Sequence, residues 1–516
     1  MAEFAGFIGP SYAGKSKYAA IEKCLNFYPE VLGTPSPEKA KVVLYPTPGT
    51  GYVSGGSDFP QPNRGLLQLN GRIFGVNGST FFEFILPTPS FPSGAWYNWG
   101  AVADDGLPVC MVANGVITTE QQIFISSAGQ GYVWSLGNVF SDLSLEPQFL
   151  AGTGAAFING YFASIIDGTN GFQISNVNSG ALGNWDSLDV AYAQGQSDTL
   201  VNLISDHGYL WLFGNRHIQL WYAVQNPGPL DFPFAPQQGA FIEIGLEAAT
   251  SLTKADNSLF WLGASSQGGR IAYRTSGINP VRISNHAIEQ EWAKYSTVAD
   301  TWTYSFEWDG HTFVRFIFPT AGKGWTYDCA ASADLGMPIW HENAFTQANG
   351  VLTAPLERGY CFLNGVHYVG GGAVTGHPGA IYKFTTATYI PEDPVAILLW
   401  SNDGGNTWGP EYEVPVGNQG EYVYRVQANL LGSGRDRVFW LRCIDKGECA
   451  LTSTTAEGEF YITRDRICPH LYHEYNLNTY HQLEIECQRG IGSANGEVDK
   501  FWALISAYLY FSPGAA

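Results

Sequence analysis

Charge is scarce in this chain. Asp, Glu, Lys and Arg together supply 14% of 516 residues, too little to cover helices with charged outer faces. Cations are scarcer still, 26 Lys and Arg against 46 Asp and Glu, for a net charge of -20. Such a surface is not drawn from a distance to phosphate backbones or anionic lipid, and it suits contact with DNA only where the DNA must slide and not stick. No apolar run reaches about 18 residues, so no membrane-spanning helix is expected. The nearest, Phe501 to Phe511 (FWALISAYLYF), reads as a buried terminal strand, with a membrane-inserting tip as the alternative. The N-terminal MAEFAGFIGP lacks a basic region followed by an apolar run, so no signal peptide is expected. The eight cysteines (Cys24, Cys110, Cys329, Cys361, Cys443, Cys449, Cys468 and Cys487) form no CxxC pair. They read as mostly buried thiols of a protein that folds in a reducing compartment.

What the chain has in quantity is Gly, Pro and aromatic residues: 61 Gly, 28 Pro and 15% Phe, Trp and Tyr. Many short strands packed face to face have this composition. Between residues 65 and 385 one pattern recurs: a turn signal, an aromatic strand, a Gly-rich turn and a second aromatic strand. The turn signals are Asn70-Gly71, Asn114-Gly115, Asn159-Gly160, His207-Gly208, Asn257-Ser258, Asp309-Gly310 and Asn364-Gly365. Their spacing, about 44 to 55 residues, is that of propeller blades. Asn-Gly and Asp-Gly between apolar runs signal hairpins because both residues accept positive φ. Near-continuous apolar strands such as Leu210-Trp211-Leu212-Phe213 imply sheets buried on both faces. The fold class is therefore all-β: a β-propeller of six to seven blades with an additional C-terminal β-sandwich-like domain. Residues 1–64 do not fit the repeat and read as an arm that packs on the C-terminal domain or a neighbouring subunit, with a short helix over Ser16 to Leu25. Residues 65–385 form the propeller. From 386 to 516 alternating strands such as Val395 to Trp400 and Glu421 to Val426 mark a separate β domain. One further helix, Ala287 to Tyr295 capped by Asn285, reads as an insertion between blades.

Few motifs carry chemistry. Gly9 to Ser16 (GPSYAGKS) matches the phosphate-cradling pattern G-x-x-x-x-G-K-S. No alternation of strand and helix supplies the parallel sheet such sites are built on, so it reads as coincidence and Lys15 as no phosphate ligand. Ser401, Asp403, Gly405, Thr407 and Trp408 match the Asp-box, S-x-D-x-G-x-T-W. Its chemistry is structural: Asp accepts local N–H bonds, Gly supplies positive φ and Trp packs beneath the hairpin. A single box also allows a carbohydrate-active propeller, either a sialidase-like glycosidase or a receptor-binding lectin. Cys468, His470, His473, Glu474, His481 and Cys487 match no familiar zinc spacing and read as structural. His217, His311 and His341 sit in blade strands or loops, where packing explains them. No set of nucleophile, base and orienter stands out, and no cofactor or metal is expected.

From Asn202 to His341 the sequence resembles the packaged-DNA stabilisation (tail hub or nozzle) proteins of short-tailed bacteriophages. The resemblance rests on Leu210 to Gly214, Gln219 to Tyr222, Asp231 to Phe234, Gln238 to Ala240, Gly245 to Ser251, Leu259 to Gly263, Asn279 to Ser284 and Thr326 to Asp328. Pro10-Ser11-Tyr12, Asn26 and Tyr28-Pro29-Glu30 are similar to that family's opening segment, and Trp400 to Trp408, Gly420 to Tyr422 and Arg435 to Phe439 to its closing one. One departure stands out. Arg464 to His470 through Leu483 to Glu486 looks like a piece that ordinarily precedes the Asp-box region and here follows it, which leaves open a permuted terminal domain or a different match. The resemblance implies a non-enzymatic virion protein of the phage tail, assembled in the host cytoplasm. It implies a homo-hexameric ring below the portal and adaptor that continues the tunnel for double-stranded DNA without sequence-specific binding. The ring would retain the packaged genome and present surfaces to a tail fibre, spike or tail tip. Six copies would carry a charge on the order of -120 before counterions, which suits an anionic lumen that repels duplex phosphates.

Overall fold

Short hairpins organise the centre of the chain because their turn residues accept positive φ. In the computed structural model, Asn70, Asn159, His207, Asp309 and Asn364 have φ between 48° and 52°, and each is followed by a glycine with positive φ. These are the paired left-handed positions that match the right-handed twist of the flanking strands. In the fifth repeat the turn falls one residue earlier than the sequence signal, at Asp256 (φ 44°) and Asn257 (φ 52°), and Ser258 already pairs with Ala255. Asn114-Gly115 closes no two-residue turn. Asn114 is buried, and its side-chain oxygen instead accepts the Gln122 N–H at 3.0 Å, at the start of the next strand.

The structure describes residues 2–3, 9–16, 20–31, 42–54, 61–88, 94–115, 120–137, 139–195, 198–225, 227–228, 231–264, 270–347, 350–372, 377–385, 395–415, 424–434, 436–448, 459–469, 478–487 and 506–513. Among them, seven antiparallel sheets follow one another around a β-propeller. Blade 1 spans residues 63–101, blade 2 residues 110–142, blade 3 residues 152–192, blade 4 residues 200–242, blade 5 residues 245–282 and blade 6 residues 302–343. Blade 7 takes three strands from residues 357–385 and its fourth, Gly49–Ser54, from near the N-terminus. Part of the segment 1–64 set outside the repeat thus completes it. The ring closes on side chains as well. Asn63 donates to the Asn77 side-chain oxygen at 2.9 Å, and Asn77 donates to the Gly379 carbonyl of blade 7 at 2.9 Å.

Each pair of neighbouring blades shares an apolar cluster, which explains the near-continuous hydrophobic strands. Phe74 of blade 1 meets Trp134 of blade 2 at 4.6 Å between ring centroids, Phe213 of blade 4 meets Trp261 of blade 5 at 5.6 Å, and Phe306 of blade 6 meets Phe384 of blade 7 at 5.1 Å. Burying such a side chain stabilises the fold by about 1.5–3 kcal/mol, so the interfaces dominate its energetics. Among the described residues, two short α-helices interrupt the sheets. Helix α1 (His286–Trp292) lies between blades 5 and 6, and its cap Asn285 accepts the Ile288 N–H at 3.0 Å. Helix α2 (Cys329–Leu335), which the sequence pattern did not mark, lies inside blade 6 with Asp328 as its cap.

The last strand of blade 6, Trp340–Asn343, continues into a larger sheet. Ile21–Leu25 lies between it and Glu459–Ile467, and that strand leads on to Val438–Glu448, Val395–Ser401 and Tyr412–Pro415. The helix expected over Ser16 to Leu25 is therefore a strand over its second half, because a place in the sheet satisfies more backbone groups than an isolated helical turn. A second sheet orders Ala2–Glu3, Ser506–Pro513, Asn478–Cys487 and Tyr424–Gly434.

Candidate functional site

The densest polar chemistry lies where the N-terminal segment, blade 6 and the C-terminal sheets meet. Ser11 anchors the first of these. Its hydroxyl donates to the Cys24 carbonyl at 3.1 Å and accepts the Cys24 N–H at 2.8 Å. Tyr12 and Ala13 then pair with Glu22 and Ile21. The phosphate-loop lookalike is thus one side of a hairpin. A strand follows it, and Lys15 is exposed. Burial pushes the Cys24 thiol up to about 12, so it is an inert core thiol. Asn26, at φ 55°, donates to the Ala344 carbonyl and accepts the Ala344 N–H, both at 3.0 Å.

Next along the segment, Glu30 hydrogen-bonds His311 Nε2, while His311 Nδ1 meets Asp328 at 2.8 Å. Burial opposes charge on this imidazole, but the bonds and charges of Asp328 and Glu30 outweigh it and raise its pKa to about 9. A ring so held is an imidazolium at neutral pH and no general base. Asp328 is fully engaged, since its other oxygen accepts the Ala331 N–H at 3.0 Å as the α2 cap. Behind His311, Arg315 pairs with Glu357 of blade 7 at 2.7 Å and donates to the Tyr304 hydroxyl at 3.1 Å. His341 lies fully buried beside them. Burial first, then the charges of Arg315 and His311, hold it neutral well below the ordinary imidazole range. His217 is remote from this cluster, stacked on Phe241 at 4.9 Å and 3.4 Å from Asp198 at the edge of a small cavity.

The Asp-box residues converge on the same seam. Asp403 accepts from the Ser401 hydroxyl at 2.6 Å, the Thr407 hydroxyl at 2.6 Å, and the N–H groups of Asn406 and Thr407 at 3.0 and 2.9 Å. Those bonds, Ser401's foremost, hold the carboxylate well below its usual range. Gly405, at φ 83°, donates to the Ser401 hydroxyl at 2.8 Å and lies flat against Ile21 of the N-terminal strand. Trp408 packs edge-on to Trp440 at 5.1 Å, and Arg442 covers the other ring at 4.3 Å. Of the Cys468 group, Cys468 is buried and His470, His473 and Glu474 lie outside the described residues. Among the described residues, no three His, Cys, Asp or Glu side chains are grouped to hold a metal ion. No helix among them is long and apolar enough to cross a membrane.

Sequence reasoning missed Glu30, Arg315 and Glu357. Arg315 left a signal, a lone charge inside the apolar run HTFVRFIF, although its partner 42 residues away did not. The whole arrangement is built to hold elements together: Glu30, His311, Asp328, Arg315, Glu357 and Asp403 are each bonded within the protein, and His341 is held neutral.

Residues 62–374 match the family model described as bacteriophage P22 Gp10, beta-propeller, and residues 375–459 match the model described as bacteriophage P22 Gp10, beta-sandwich. No curated protein matches the chain. Among solved structures it is similar to the extracellular domain of a hybrid two-component system from B. thetaiotaomicron, at 8% identity and a TM-score of 0.40, over 88% of this chain and 55% of that one. It is also similar to the computationally designed Ika8 protein, at 11% identity and a TM-score of 0.34, over 65% of this chain and 99% of that one. The chain spans about half the length of the first of these, and both likenesses are too distant to bear on function. The two family matches run in order across most of the sequence, and the chain belongs to the family of bacteriophage P22 Gp10, a structural phage tail protein.

Proposed function

We propose that six copies of this chain form a ring in the phage tail, below the portal and adaptor, that continues the DNA tunnel and retains the packaged genome. The ring also presents docking surface to a fibre, spike or tail tip. Membership in the Gp10 family carries this reading. The charge of -20 per copy supports it, because an anionic wall repels duplex phosphates within about a Debye length, some 8 Å at physiological salt, and lets DNA slide. Retention then works by the steric closure of loops and not by affinity. The matched polar seam supports a non-enzymatic role, since the histidine closest to a catalytic arrangement, His311, is locked between two carboxylates.

A density map of the intact particle tests the reading. It is expected to place a six-fold ring of this chain on the tail axis, with the lumen narrowed in DNA-filled particles. A wide, unobstructed lumen in filled particles removes the retention role, and absence of the chain from the tail removes the whole. Incubation with sialosides or capsule polysaccharide is expected to give no turnover. Turnover would favour the glycosidase that a single Asp-box allows.

A further inference from the structure

Between Arg72 and His207 the sequence holds no lysine, arginine or histidine. That stretch builds most of blade 1, all of blades 2 and 3 and the first strand of blade 4. Acidic residues run through it, among them Asp142, Asp167, Asp186 and Asp189, while Asp104 and Asp105 are matched by Arg64 at 3.3 and 2.6 Å. Blades 2 and 3 are therefore anionic with no cation of their own. Elsewhere on the surface, several cations are matched within the chain: Arg282 by Glu289, Lys294 by Glu291 at 2.7 Å, and Arg274 by Asp256 at 3.5 Å.

Inside the anionic sector, the outer rim where blades 2 and 3 meet holds three leucines in water. Glu146 accepts the Gly183 N–H, and the Gln148 side-chain oxygen accepts from the Ser187 hydroxyl at 2.6 Å. These two clasps fasten the segment after blade 2 to the approach and start of the last strand of blade 3, Trp185–Tyr192. One residue from the clasps stand Leu145, Leu182 and Leu188, which are 73%, 43% and 83% exposed. Asp186 accepts the Leu188 N–H at 2.9 Å, which holds one carboxylate at that leucine's backbone, and Asp189 is the next residue. Burial and the charge of Asp186 raise the Asp189 carboxyl, a strain that an incoming cation would relieve. Trp185–Tyr192 is the last strand of its sheet, and its outer edge pairs with no strand among the described residues. Exposed leucines beside acids on the last strand of a sheet are suited to docking an extended segment through side chains, since the Ser187 and Leu188 N–H groups are already taken by Gln148 and Asp186.

We propose that this rim docks an extended segment of a different polypeptide in which aliphatic residues alternate with lysine or arginine. The aliphatic side chains cover Leu145, Leu182 and Leu188, and the cations meet Asp186 and Asp189. A second copy is the poorer occupant, because like rims repel and the named cations elsewhere on the chain are already paired. Nucleic acid and anionic lipid are repelled outright. Only the identification of that polypeptide as another tail component rests on the function proposed above.

The test titrates the full-length protein with a fluorescent peptide alternating lysine with valine, and with a glutamate–valine control. The lysine–valine peptide is expected to bind. Leu145→Ser with Leu188→Ser, and separately Asp186→Asn with Asp189→Asn, are each expected to weaken it by about tenfold or more, with unchanged thermal unfolding. Asp167→Asn, elsewhere in the same sector, is expected to leave binding unchanged. No binding by the lysine–valine peptide, or equal binding to all variants, overturns the proposal. In the particle, a photo-reactive residue at position 188 is expected to cross-link to a Lys- or Arg-bearing segment of another protein. Cross-links to a second copy alone, or none with the chain present in the tail, overturn it. Absence of the chain from the tail defeats the function proposed above, while the peptide titration still decides the rim.

Discussion

Glu30 and His311 stand 281 residues apart in sequence and share a hydrogen bond that fastens the N-terminal segment to blade 6. With Asp328 on the other ring nitrogen, they hold the imidazolium to a pKa of about 9 against an ordinary 6.5. A raised pKa contributes stability that is fully present below about pH 6.5 and is lost as pH rises through about 9. Urea unfolding midpoints are therefore expected to fall between pH 7 and pH 9.5. His311→Gln should lower stability at pH 6.5 by on the order of 3 kcal/mol and flatten that slope. An equally steep slope in the variant would assign it to another group.

A methyl group added at Gly405 would run into Ile21, and the backbone there sits at φ 83°. Gly405→Ala combines overlap with backbone strain and is expected to cost about 2–4 kcal/mol. Ile21→Ala should recover the overlap but not the strain, so the double variant is expected between the single Gly405 variant and the wild type. Full additivity in chemical denaturation would mean that the Asp-box turn and the N-terminal strand are not coupled.

Asp403 gathers four donors, two of them the backbone N–H groups of Asn406 and Thr407. Asp403→Asn keeps the shape but replaces one acceptor oxygen with a donor. Amide exchange at Asn406 and Thr407 is expected to accelerate while the propeller amides keep their protection. Because the carboxylate is held below its usual range, the protection of these two amides relative to their intrinsic exchange rates should weaken in the wild-type protein as pH falls from about 3.8 toward the depressed value. Unchanged exchange at both amides in the variant would remove the turn's dependence on Asp403.

The propeller was legible because its signals are local. A turn pair with positive φ and the apolar runs beside it sit within a dozen residues, and Asn70-Gly71 or Asp309-Gly310 needs no distant partner to be recognised. Two misreadings involve distant partners. Ile21–Leu25 became a strand because Trp340–Asn343 and Glu459–Ile467 flank it, and Gly49–Ser54 joined blade 7 because Ile381–Thr385 lay open at the other end of the chain. The turn at Asp256-Asn257 slipped by one residue because two adjacent side chains tolerate positive φ equally well. Of the seam, the residue pattern gave the Asp-box with its local bonds. It did not give Glu30 or Glu357, whose partners only the closed ring brings near.

Arg315 and Glu357 are both buried and join blades 6 and 7 at 2.7 Å, with the Thr326 hydroxyl 3.2 Å from the guanidinium. Desolvating two charges offsets most of their attraction, so the pair serves to fix how the blades fit more than to add stability. Arg315→Met leaves the Glu357 carboxylate buried without its cation and is expected to cost about 3–5 kcal/mol. Arg315→Met with Glu357→Leu restores an apolar match and should recover most of that loss. The low pKa of His341 adds an independent readout, because the Arg315 charge is one of its causes. Removing that charge should move the His341 titration upward in NMR, while burial still keeps it below the ordinary range. A double variant as unstable as Arg315→Met alone would mean that the ion pair holds the two blades by more than its charge balance.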